Sequence, residues 1–208
     1  MYDEAKIIEG CRKYNKQAQK MLYEKYAPML RGICLRYVNN PQEAKDIVQD
    51  GFLKVFSNIS QFKGQGSFEG WLKRIFVNTA ITHFNKNKKH YYHSDITEIR
   101  ETSINSQAED TENSSEIEID LSDVDENTID YNMIKNAEFS QEELLEALKV
   151  VPEMFRIVFN LYAVENYQHK DIADVLKIDE NTSRTRLLRA KKIIQRELYK
   201  MSIKKLAK

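Results

Sequence analysis

The sequence predicts an all-α protein of two small helical domains joined by an acidic linker, and three observations carry that reading. Only 6 glycines and 3 prolines occur in 208 residues, which disfavours a turn-rich β fold. Apolar residues recur at helical spacing over most of the chain. Charge is partitioned into blocks although the formal net charge is zero. Residues 1–93 hold 16 Lys+Arg against 8 Asp+Glu, residues 94–138 hold 2 against 14, and residues 139–208 hold 14 against 10. Two basic modules flank a segment of net charge −12, a pattern that suits polyanion binding at both ends.

In the first module, residues 1–93, an amphipathic stretch runs from about Asn15 to Asn39, with Met21, Leu22, Tyr26, Met29, Leu30, Ile33 and Tyr37 on one side. Asn40-Pro41-Gln42-Glu43 then reads as a helix start: an N-cap, proline in the first turn and glutamate three residues on. In the helix that follows, Ala44, Ile47, Val48, Phe52 and Val55 form the core side. The other side presents Asp46, Gln49, Asp50 and the apolar Leu53. An exposed leucine ringed by acids and an amide suits a docking surface, although an ordinary solvated face would carry the same acids.

A glycine-containing loop, Phe62, Lys63, Gly64, Gln65, Gly66, Ser67 and Phe68, leads into the next helix. Aromatics, a lysine and flexible backbone together can hold an unstacked base. That helix is apolar almost all round, with one polar stripe of Arg74, Asn78, Thr82, Asn85 and Lys89 suited to DNA backbone and base edges. Trp71 reads as core rather than as a stacking residue.

Residues 94–138 are polar and acidic without a sustained apolar period, and read as a linker that cannot fold alone. Order returns at Ser140-Gln141-Glu142-Glu143, a capping box before an apolar run. Pro152 opens the next helix.

In the last module, residues 139–208, HKDIADVL, a three-residue turn and ENTSRTRLLRAKK have the shape of a helix-turn-helix. Asp179 reads as the N-cap of the second helix, and Lys177 occupies a turn position where glycine would be easier. Ser183, Leu187, Ala190 and Ile194 form its core side. Asn181, Thr185, Arg189, Lys192 and Arg196 face away, with Arg184 and Arg186 on the flanks. Such a face suits the major groove, where Arg reads guanine and Asn reads adenine. A solvated basic helix would look similar, but the scaffold helix at the correct spacing decides for the groove.

EAKDIVQDGFLKVF, then FKGQGSFEGWLKRIFVNTA, then ENTSRTRLLRAK resemble the extracytoplasmic-function sigma factors of the sigma-70 family, over about residues 10–90 and 139–200. The resemblance implies that the first module is sigma domain two, with Asp46, Gln49, Asp50 and Leu53 on the clamp helices of core RNA polymerase. It implies that the loop Phe62–Phe68, with Arg74, Asn78 and Thr79, reads the melted minus-ten element of promoter DNA. It implies that the second module is sigma domain four, with Arg184, Thr185, Arg186, Leu188 and Arg189 at the minus-thirty-five element. Further partners so implied are the polymerase flap and an anti-sigma protein, with the linker threading the polymerase cleft.

The function expected is therefore that of an alternative sigma factor; the alternative is a dimeric helix-turn-helix regulator that binds duplex DNA without polymerase. No phosphate loop, catalytic triad or ordered carboxylate pair points to an enzyme, and no cofactor is expected. No metal site is expected either, since His90 and His93 lack further ligands at suitable spacing. Two cysteines fit a reducing cytoplasm. No run of 18 apolar residues and no signal-peptide pattern suggest membrane insertion or export.

Overall fold

The computed structural model describes residues 3–102 and 129–206, with backbone alone for 88–102. Every regular element among the described residues is helical, and the chain divides into two compact units, residues 1–86 and 87–208.

The first unit begins with α1 (Glu4–Arg12), capped by Asp3, and α2 (Lys16–Cys34), capped by the Asn15 side chain, which accepts from the Ala18 N–H at 3.0 Å. Helix α2 tolerates Pro28 in its interior, on its exposed side. It stops short of the expected Asn39. The Tyr37 N–H donates to the Cys34 carbonyl at 2.9 Å, and this tighter turn places both Tyr37 and Val38 in the core. Helix α3 (Pro41–Asn58) starts as its sequence predicts, with Asn40 Oδ1 accepting from the Gln42 N–H at 2.8 Å and proline in the first turn. A short 3₁₀ turn (Ile59–Gln61) precedes the glycine loop, and α4 (Phe68–Thr102) follows it.

Apolar burial drives this packing. Leu22, Leu30, Ala44, Val55, Leu72 and Phe76 are fully enclosed, and Phe52 meets Phe76 edge-on with ring centroids 5.3 Å apart. Gly51 makes that approach of α3 to α4 possible, since a Cβ there would lie 2.7 Å from the Phe76 ring. Cys11 and Cys34 are both buried and free, and burial pushes the Cys34 thiol up to about 12, so it is unreactive at neutral pH.

The second unit contains α5 (Tyr131–Asn136), α6 (Gln141–Lys149), α7 (Glu153–Phe159) running on into a π turn (Asn160–Val164), α8 (His169–Leu176) and α9 (Glu180–Leu206). The capping box at α6 forms in both directions: the Glu143 N–H donates to Ser140 Oγ at 3.3 Å, and the Ser140 N–H donates to Glu143 Oε2 at 2.8 Å. Helix α9 packs against α5, α6, α7 and α8. Met154, Phe155, Ile157 and Val158 of α7 are fully buried, as is Arg156, whose Nη2 donates to Glu153 Oε1 at 3.1 Å.

The expected linker, residues 94–138, differs from the structure at both ends. Helix α4 continues through Thr102, and α5 lies inside the same span, capped by Asp130. Six residues cannot hold a helix alone; α5 is held by its packing on α9, with Met133 and Ile134 half-buried. Most of the acidic segment, residues 103–128, lies outside the described residues.

Lys177, in the turn between α8 and α9, adopts the left-handed conformation with φ +56°. An L side chain there costs roughly 1–2 kcal/mol, partly offset by the greater unfolded-state freedom of glycine. Lys177→Gly is therefore expected to stabilise the protein by about 0.5–1 kcal/mol, read as a raised denaturation midpoint.

Candidate nucleic-acid interface

Helix α3 separates its two faces cleanly. Ala44, Ile47, Val48, Phe52 and Val55 are buried, whereas Asp46, Gln49, Asp50 and Leu53 are exposed. Leu53 stands 65% exposed. On this face Gln42 Nε2 donates to Asp46 Oδ1 at 3.3 Å, and Ser57 Oγ donates to the Leu53 carbonyl at 2.9 Å.

The glycine loop and the start of α4 depart from the sequence reading in two respects. Phe62 and Phe68 do not form an open wall: both are buried, with ring centroids 5.0 Å apart. Trp71, expected in the core, is instead half-buried, stacked on Phe68 at 5.5 Å and tilted against Phe62 at 5.6 Å. The physical reason is area, because two phenyl rings flanking a short loop bury more apolar surface against each other than either could leave to solvent. The cluster clamps both loop ends. Arg12 Nη2 donates to the Phe62 carbonyl at 2.6 Å, and Ser67 Oγ accepts from the Gly70 N–H at 2.9 Å. Between these anchors Lys63, Gly64, Gln65 and Gly66 are exposed, with both glycines at positive φ. Arg12 is a loop-positioning residue that sequence reasoning missed, since nothing local links it to a carbonyl fifty residues away.

Along α4, Arg74, Asn78 and Thr82 are exposed on one stripe, as their spacing predicts. Asn85 is half-buried, and Lys89 lies beyond the described side chains. Thr79 is not available to a ligand. It is buried, its hydroxyl donates to the Ile75 carbonyl at 2.7 Å, and it accepts from Lys54 Nζ at 3.1 Å. It lies one residue, about 100° of helix, away from the exposed stripe.

In the second unit α8, the turn and α9 form the expected helix-turn-helix. Asp179 caps α9, accepting from the Thr182 N–H at 2.8 Å, and hydrogen bonding to Thr182 lowers its pKa. The outward face is rotated from the expected one. Asn181, Arg184, Leu188 and Lys191 are exposed, Thr185, Arg189 and Lys192 are half-buried, and Arg186 is buried. The cause is that α9 is flanked by both α7 and α8. The Arg189 guanidinium lies over the Phe155 ring of α7 at 5.9 Å, and the Thr185 hydroxyl donates to the Asn181 carbonyl at 3.0 Å. Arg184 pairs with Glu180 on the surface, a contact of little energy that an incoming anion can replace. Lys191 was missed, although it stands seven residues from Arg184 and hence on the same face.

Comparison with known proteins matches this architecture. Residues 22–90 fit the model of Sigma-70 region 2, and residues 141–194 fit that of Sigma-70, region 4. The RNA polymerase sigma-H factor of Pseudomonas aeruginosa is 28% identical over 192 residues, covering 92% of each chain. The ECF RNA polymerase sigma-E factor of Haemophilus influenzae is 27% identical, covering 92% of this chain and 93% of its own. The ECF RNA polymerase sigma factor SigW of Bacillus subtilis is 24% identical, with 93% and 95% covered. The matches take in the exposed face of α3, the glycine loop and the helix-turn-helix in a single order along the chain, and the chain belongs to the sigma-70 family as an alternative sigma factor of the extracytoplasmic-function class.

Proposed function

We propose that this chain docks on core RNA polymerase through Asp46, Gln49, Asp50 and Leu53 of α3 and confers promoter recognition without chemistry of its own. The loop tip Lys63–Gly66 and the stripe Arg74, Asn78 and Thr82 then meet the melted minus-ten strand. Half-buried Trp71 is the aromatic with a face left for a base, in place of Phe62 and Phe68. Asn181, Arg184, Leu188 and Lys191 of α9 meet the minus-thirty-five duplex, with Thr185, Arg189 and Lys192 at the edges of the contact. The polymerase flap and an anti-sigma protein complete the set of partners.

The observation that supports this reading is the 65% exposure of Leu53 on the same side of α3 as Asp46, Gln49 and Asp50, on a unit that also exposes the loop tip Lys63–Gly66 and the α4 stripe. A duplex-binding regulator would need the helix-turn-helix but neither of these. Run-off transcription from fragmented genomic DNA, with core polymerase and with or without this chain, tests it. New start sites should appear only with the chain, and permanganate should modify thymines there as the duplex opens. Absence of both would remove the polymerase role.

Within that reading, Arg184→Ala is expected to reduce discrimination between promoter and scrambled minus-thirty-five duplexes by about 1–3 kcal/mol if its guanidinium reads a guanine. Holoenzyme binding to the two duplexes measures this. An equal loss on both would make Arg184 a phosphate contact instead.

A further inference from the structure

Beside α9, side chains from three elements meet around one imidazole. The His169 ring, at the start of α8, stacks on Tyr162 of the π turn, with centroids 4.7 Å apart and planes 23° from parallel. Its Nδ1 lies 3.0 Å from the hydroxyl of Ser183, a fully buried residue of α9. A buried hydroxyl without a partner is costly, so His169 and Ser183 form a matched pair across the helix-turn-helix. Lys191 Nζ stands 5.8 Å from the centre of the Tyr162 ring. Tyr162 and Lys191 are exposed, and His169 is half-buried.

Charge around the imidazole is predominantly positive. Arg184 and Lys191 of α9 both disfavour its protonation, Glu180 of α9 favours it, and on α8 itself the exposed Lys170 and Asp171 follow. Burial, then these cations, hold the His169 pKa below its ordinary value. A half-exposed phenol, an imidazole and two cations, at the edge of the face proposed to enter the groove, match the chemistry of a phosphodiester oxygen.

Resting on that groove-reading assignment of α9, we propose that Tyr162, His169 and Lys191 form a DNA-phosphate contact flanking the recognition helix, made with uptake of a proton at His169. In the free protein burial and the neighbouring cations bias the imidazole toward its neutral form. The arriving anion supplies the negative charge that favours imidazolium, so its pKa rises in the complex. Protonated, the ring donates from Nδ1 to Ser183 Oγ and retains Nε2–H for an outside acceptor. Because the complex binds the extra proton, affinity must rise as pH falls through the bound-state pKa, and level off below the free-state pKa.

The test is binding of holoenzyme to a promoter duplex, recovered by run-off mapping, between pH 8 and pH 6 at fixed salt. The parent protein should tighten by up to about tenfold. His169→Gln cannot titrate but keeps a hydrogen-bonding group toward Ser183, and it should show no such gain. At pH 6 the slope of log affinity against log salt should be shallower by about one for His169→Gln, whereas the two slopes should coincide at pH 8. Lys191→Gln should lose about one from that slope at every pH.

Parallel pH profiles for parent and His169→Gln, or equal salt slopes at pH 6, would overturn the phosphate contact. A loss of affinity in His169→Gln that is uniform with pH would reduce His169 to a packing residue and overturn it likewise. If parent holoenzyme fails to distinguish the promoter from a scrambled duplex, the groove-reading assignment itself falls, and the phosphate contact with it.

Discussion

Arg156→Ala is expected to lower the stability of the second unit by about 3–5 kcal/mol, the range found when one partner of a buried ion pair is removed. The Arg156 side chain is 1% exposed and that of Glu153 11%. Two costs coincide in the variant: a cavity where the long side chain packed, and a carboxylate held in low dielectric without its guanidinium. Because Phe155, Ile157 and Val158 on the same turns of α7 line the core against which α9 packs, the loss should reach the helix-turn-helix. Urea unfolding followed by circular dichroism should show the helices of the second unit melting earlier while the first unit keeps its own midpoint. Replacing both partners by apolar residues of similar volume, Glu153→Leu with Arg156→Met, should recover most of the loss, since burying charge carries a desolvation cost that apolar packing does not. A cost below about 1 kcal/mol for Arg156→Ala would mean that the pair contributes nothing beyond filling space.

Leu53→Glu is expected to weaken association with core polymerase by about 2–4 kcal/mol, the scale of a central interface residue, which is roughly 30- to 1000-fold in Kd. Leu53 follows Gln49 and Asp50 by four and three residues on the same exposed side of α3, so a new carboxylate removes the apolar anchor and adds like charge one turn from Asp50. Its own fold should be indifferent, because Leu53 is 65% exposed and the α3 core consists of other residues. Titration of labelled core polymerase, with circular dichroism as the control, separates the two effects. Unchanged affinity would leave this face as plain solvated surface.

Helix starts were readable locally. Asn40 with Pro41, Ser140 with Glu143, and Asp179 each cap where their sequence predicts, because a cap is satisfied within three residues of itself. The strain at Lys177 was legible for the same reason. The alternation of buried and exposed positions along α3 also followed from spacing, since one side of that helix meets the core and the other meets solvent.

The site residues divide along the same line. Asp46, Gln49, Asp50 and Leu53 on the outer side of α3, and Arg74, Asn78 and Thr82 on the polar stripe of α4, stand exposed as their spacing requires. Phe62, Phe68, Thr79 and Arg186 are buried, and no local rule separates them from their exposed neighbours. Their fate depends on distant groups: Trp71 against both phenylalanines, Lys54 against Thr79, and the two helices flanking α9. Helix α5 was unreadable for a related reason, as its acidic surroundings have no apolar period and only the surface of α9 makes its six residues helical.

By itself, then, the sequence determined the helical class, the caps, the basic–acidic–basic division and the family, all of which are set within a few residues or by composition. Tertiary structure decided which way α9 faces, that Phe62 and Phe68 are enclosed while Trp71 is half-buried, and that His169 lies against Ser183 and Tyr162. Those outcomes rest on contacts between residues from 7 to 50 positions apart, and a helical wheel carries no information about how many neighbours will surround it.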